Sequence, residues 1–114
     1  MQKEFPTLDQ LAEFFGECPS DLIPDEGLSV YRVAAASVGL TVSVGEVGRS
    51  FQTNLYVSDV LVSSVVFEGL EELLLLGDKT GSFLRATFSV GNAEIKCVVR
   101  VRPDIRIEWS GISS

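Results

Sequence analysis

The side chains here that could do chemistry are two cysteines, Cys18 and Cys97, and a set of carboxylates; the chain has no histidine. Without histidine the commonest general base and the commonest metal ligand are missing. Neither a Ser–His nor a Cys–His nucleophile can be assembled within the chain. Cys18 stands alone as a candidate nucleophile, but Glu17 and Asp21 flank it, and negative neighbours disfavour a thiolate. Carboxylate pairs are conceivable at Asp21 with Asp25 or Glu26, and at Glu71 with Glu72. The first set falls in a loop, where plain solvation is the simpler reading. The second are neighbours on a strand, whose side chains point to opposite faces. DLIPDEG lacks the fixed ligand spacing of a calcium loop, the cysteines match no zinc spacing, and no glycine motif cradles a phosphate. The sequence thus predicts no catalytic residue, no metal and no cofactor, and a protein that is not an enzyme.

Charge is the more informative feature. Six acids, Asp9, Glu13, Glu17, Asp21, Asp25 and Glu26, fall in DQLAEFFGECPSDLIPDEG with no base, in a chain of 114 residues and formal net charge −7. Five more acids and no base lie from Ser50 to Asp78, and from Lys79 to Arg106 six bases meet two acids. A net negative potential argues against a nucleic-acid partner, and aromatics do not interleave with bases as they do on stacking platforms. Arg85, Lys96 and Arg100 are expected to cover one face of a hairpin and pair with cross-strand acids. The acidic segment has two readings: a solvated surface that keeps a small domain soluble, or a negative patch that steers and holds a basic protein.

The elements that must position these groups begin with a short helix at about residues 7–16. Thr7 is a good N-cap with Gln10 in the capping-box position, Asp9 suits the positive end of the helix dipole, and Gly16 suits a left-handed C-cap. Leu8, Leu11, Ala12 and Phe15 make one apolar face. Two turns are too short to persist alone in water, so this helix must dock. Phe14 is expected on its flank. Pro19 and Pro24 make residues 17–27 an ordered loop, anchored by Leu22 and Ile23. From residue 28 to 109 the chain is β. LEELLLLG favours helix by composition, but Gly69 and Gly77 leave it too short, so it reads as a strand. In SFLRATFSVGNAEIKCVVRVR a turn at Gly91 and Asn92 pairs Val90 with Ala93, Phe88 with Ile95, Ala86 with Cys97 and Leu84 with Val99. Residues 110–114 read as a frayed tail.

Short connections imply antiparallel neighbours. The expected architecture is α+β and mostly β: one domain, with the helix packed on a curved or two-layered antiparallel sheet of about seven to eight strands. No apolar run reaches the roughly 18–20 residues that span a bilayer, and the N-terminus lacks a signal-peptide pattern. The expectation is a cytoplasmic protein without a membrane partner. Two reduced thiols are the simpler reading of the cysteines, with a single bridge as the alternative.

A short helix running into FGECPS, a middle strand ending VVFEGLEELLL and a closing strand pair ending in IRIEW resemble the immunity proteins of bacterial polymorphic-toxin and contact-inhibition systems. The small, acidic, histidine-free domain resembles them too. The resemblance implies a protein that binds and blocks one toxin. It carries across no specific binding residue. The acidic-patch reading assigns the contact to Glu13, Glu17, Asp21, Asp25 and Glu26, with Phe14 as aromatic anchor. The free protein is then a monomer. The alternative is a self-associating structural module, or a small secretion-chaperone-like protein, that uses LVSSVVF and LEELLLL at an exposed strand edge.

Overall fold

Helix α1 spans Leu8–Phe15. Its capping box is formed: Gln10 N–H donates to Thr7 Oγ1 at 3.1 Å, and Thr7 N–H donates to Gln10 Oε1 at 2.8 Å. Gly16 ends it in the left-handed conformation, φ 79°, its N–H donating to Ala12 O at 2.8 Å. The buried face differs from the expected one. Leu11, Phe14 and Phe15 are buried, whereas Leu8 is 47% exposed. The helix is gripped on two sides rather than laid on one sheet face, so the flank residue Phe14 turns inward and the first-turn residue Leu8 does not.

The structure, a computed structural model, describes residues 5–23, 25, 27–79, 81–102 and 104–113. Among the described residues nine strands follow the helix: β1 (Asp21–Ile23), β2 (Leu28–Ala35), β3 (Val38–Gly45), β4 (Ser50–Val57), β5 (Val60–Glu68), β6 (Leu70–Asp78), β7 (Gly81–Val90), β8 (Ala93–Arg100) and β9 (Arg106–Ser113). They form two antiparallel sheets of sequential hairpins, β1-β2-β3-β4-β5 and β6-β7-β8-β9. The count exceeds the seven to eight expected, for two reasons. Inside the expected loop, Asp21–Ile23 pairs with Leu28–Val30. The expected frayed tail instead continues β9, with Gly111, Ile112 and Ser113 opposite Ile95, Glu94 and Ala93. Both additions are held by backbone ladders, which need no side-chain periodicity. Leu22 and Ile23, expected as anchors, are exposed at this sheet edge.

The β7–β8 hairpin has the expected register, Leu84↔Val99, Ala86↔Cys97, Phe88↔Ile95 and Val90↔Ala93. Positive φ falls at Gly91 and not at Asn92, as a type II′ turn requires. LEELLLL lies in strand β6, with a bulge between Leu70 and Glu72. The chain passes from one sheet to the other through Gly69 at φ 85°, where a Cβ would stand 3.0 Å from Ser89 O.

Alternation puts one side of each sheet in the core. Tyr31, Leu40, Val42, Val44 and Phe51 of the first sheet and Leu70, Leu73, Leu84, Ala86, Phe88, Cys97 and Val99 of the second are buried. Rings bridge the two: Phe67 lies 5.2 Å from Trp109 and 5.7 Å from Phe88, and Phe51 lies 6.0 Å from Phe88. The helix joins this core through Phe15, stacked on Tyr31 at 4.8 Å. Burial raises the Tyr31 phenol pKa, and nearby Ser29 offsets part of that rise.

Both cysteines are free; Cys18 is exposed and Cys97 is buried. Burial pushes the Cys97 thiol from 9.0 up to about 12. Between those values the unfolded thiol has lost its proton and the folded one has not, so stability falls as pH rises, by about 1.4 kcal/mol per unit at most. Chemical denaturation should therefore show a loss starting near pH 9 that is shallower in Cys97→Ala. A disulfide-exchange reagent should titrate one thiol in the native protein and two in denaturant; two reactive thiols in the native state would contradict the buried position of Cys97.

Candidate partner-binding surface

The sequence-predicted acids run from Glu13, in the last turn of α1, into the segment beyond it. Arg102, just beyond β8, donates from Nη1 to Phe14 O at 2.8 Å, so a cation holds the negative end of the helix. Gly16 suits the site through its positive φ, and a Cβ there would stand 2.7 Å from Arg102 Nη2 and displace the end of that side chain. This clamp fixes the direction in which Glu17 leaves the helix. Ser20 then enters the edge, its N–H donating to Val30 O at 2.7 Å, and Asp21 follows in register with Val30.

Glu13, Glu17, Asp21 and Asp25 are all exposed; Glu26 lies outside the described residues. They do not converge on one hollow. Glu13 borders a hollow with Phe14, Leu75, Leu76 and Arg102. Glu17 lines a separate and larger cleft of about 570 Å³ at the end of the five-stranded sheet. Phe14 is 7% exposed and meets Phe15 edge-on at 4.9 Å. It is a core residue rather than the accessible anchor expected from the sequence.

The larger cleft brings together residues that the sequence reading missed. With Glu17, its lining includes Arg32 of β2, Tyr56 of β4 and Asp59 of the β4–β5 turn. Arg32 is the single base between Lys3 and Arg49, which is the one signal that singles it out. Two hairpin turns form the rim. Ser58 and Asp59 both have positive φ, 50° and 65°, as a type I′ turn requires. Ser58 N–H donates to Ser37 O at 2.8 Å, tying this turn to the β2–β3 turn. Among the described residues no ion pair joins Glu17, Arg32 or Asp59 to a partner.

The outer face of the four-stranded sheet is different, because its charges satisfy one another. Arg85 meets Glu72 at 3.9 Å and Lys96 meets Glu94 at 3.5 Å. Arg100 binds Asp78 with two nitrogens and lies over the Phe83 ring at 4.7 Å. Asp78 raises the Arg100 pKa further above its ordinary value. The expected pairing with acids holds, although Lys96 finds its acid on its own strand. No group of three His, Cys, Asp or Glu among the described residues could hold a metal ion. No described helix is long and apolar enough to cross a membrane.

Gly16→Ala should cost about 1–2 kcal/mol through its left-handed φ alone, measured by denaturant unfolding. The clash with Arg102 should add to that cost, and Arg102→Ala should remove the added part. Strict additivity of the two substitutions would mean that the clamp is not formed.

No protein-family model matches the chain, and no curated protein matches it by sequence. Among solved structures, a chain of a contact-dependent growth inhibition toxin–immunity protein complex from Klebsiella pneumoniae 342 has the same fold. The TM-score is 0.91 at 20% identity, over 96% of this chain and 97% of that one. That structure is of the class of complex that the sequence of this chain resembles.

Proposed function

We propose that this chain is the immunity member of a toxin–immunity pair, a stoichiometric and non-catalytic inhibitor that occludes its cognate toxin. The observation that carries this reading is the likeness in fold, over nearly the full length of both chains, to a component of such a complex. Charge then selects which member this chain represents. Sixteen acids against nine bases, with no histidine, suit the partner that covers a basic surface rather than one that performs acid–base chemistry. The toxin is accordingly a basic protein, such as a nuclease, whose phosphate-binding groups the acids of this chain engage. Glu13, Glu17, Asp21, Asp25 and Glu26 supply that contact. The free inhibitor is a cytoplasmic monomer.

A second reading, self-association through a strand edge, has one observation in its favour. Strand β5 is an edge strand, and Val60, Leu61, Val62 and Val66 on it are 51–61% exposed. Light scattering separates the two: a monomer at micromolar concentration supports the inhibitor, and a tight homodimer supports the module.

The direct test pairs this chain with its cognate toxin, sought by capture from the source cell and among the genes that adjoin its own. Co-expression should restore growth of cells that make the toxin domain, and the two proteins should co-purify at one to one. Because exposed charges act mainly on encounter, Asp21→Lys with Asp25→Lys and Glu26→Lys should slow association about tenfold or more at low salt and flatten its salt dependence. Unchanged association kinetics would sink the acidic-surface reading.

A further inference from the structure

The two sheets do not cover each other completely. Along β4 and β5 the inner-face pairs run Phe51↔Phe67, Thr53↔Val65, Leu55↔Ser63 and Val57↔Val60. Exposure rises along that row. Phe51 is fully buried and Thr53 is 2% exposed, but Val57 is 40% and Val60 61% exposed. The tip of the β4–β5 hairpin therefore overhangs the second sheet. The register shift near Tyr56 leaves Val62 as the extra residue of a bulge, and Leu61 and Val62 are exposed at 51% and 54%. Four large apolar side chains thus stand in solvent within six positions, on both sides of one hairpin tip.

Solvent-facing valines on an unprotected edge are costly in a monomer, and edge strands are ordinarily blunted by charge or proline. From Val60 to Phe67 this strand has neither. The tip is also held in place. Its two-residue turn is tied to the neighbouring turn through Ser58 and Ser37, and Gln52, Asn54 and Ser64 form a hydrogen-bonded amide–hydroxyl network further along the same hairpin. An ordered, apolar, projecting element suits an interface core, where ordering costs little on binding. Beside it lies the cleft whose Glu17, Arg32 and Asp59 have no ion-pair partner among the described residues. An apolar centre with a charged rim is the anatomy of a protein–protein contact.

We infer that the overhanging end of the five-stranded sheet seats the toxin, with Val57, Val60, Leu61 and Val62 entering an apolar depression and basic groups of the toxin meeting Glu17 and Asp59. This assignment rests on the immunity reading and names the surface that reading leaves open. Charge complementarity selects the occupant. A second copy would bring the same two acids and another −7 toward the cleft, whereas a basic toxin brings the opposite sign. The acids of the helix–β1 segment then lie at the periphery, where they steer the encounter, and the valine tip holds the complex once it has formed.

The test measures binding kinetics with the cognate toxin identified by the co-expression and co-purification test above. Val60→Lys with Leu61→Lys, at exposed positions that leave the core intact, should weaken binding about 30-fold or more, mainly through faster dissociation. Glu17→Lys, which reverses one of the two acids at the cleft, should also weaken it. Val90→Lys, an exposed apolar position on the other sheet, should change affinity by less than about threefold. Circular dichroism and an unaltered unfolding midpoint confirm that each variant is folded. Wild-type binding that survives the β5 double substitution would overturn the surface assignment and leave the immunity reading standing. Absence of wild-type binding would overturn both. A homodimer that the same double substitution dissolves would assign the tip to self-association and overturn the proposal.

Discussion

Four rings hold the two sheets face to face. Phe51 and Phe67 come from one sheet, Phe88 and Trp109 from the other, with centroid separations from 5.2 to 6.5 Å. Each such pair contributes about 0.5–1.5 kcal/mol beyond the area it buries. The Trp109 ring packs against all three phenylalanines of the cluster. Two sheets joined at Gly69 and fixed by this cluster leave an opening beside β2. The short helix fills it through Leu11, Phe14 and Phe15, and Arg102 closes its C-terminal end.

Because the sheets meet at the ring cluster, the β4–β5 tip extends past the region where they overlap. The position of the aromatic core thus decides which inner-face residues are covered and which remain in solvent. The same geometry sets the contrast between the two outer surfaces. One is closed by its own ion pairs. The other ends in an apolar tip beside a cleft whose Glu17, Arg32 and Asp59 have no ion-pair partner among the described residues.

Much of the fold was legible in the sequence where a repeating physical signal existed. Thr7, Gln10 and Gly16 marked the helix ends because capping requires particular residue types. Alternation on both sides of Gly91 gave the β7–β8 register because a slip by one residue would bury Arg85 and Lys96. Strand β1 was missed because three residues carry no periodicity and only backbone bonds hold them. The exposure of Leu8 and the burial of Phe14 were missed because a helix face does not reveal how many surfaces will grip it. The candidate site was less legible. Glu17 and Asp21 stood out by charge, but Arg32 is distant in sequence from Tyr56 and Asp59, and the β2–β3–β4 ladder brings them to one cleft. The overhang left no trace in the pattern, since VLVSSVVF reads the same whether its valines are covered or bare.

The central claim is that the partner is held by the five-stranded sheet at its overhanging end. Amide hydrogen exchange, with and without the co-purifying partner, tests it most directly. The account predicts added protection in residues 32–41 and 55–63, around the two bonded turns, and unchanged exchange in β7 and β8. Protection concentrated on the paired outer face of the four-stranded sheet, with residues 55–63 unaffected, would contradict it.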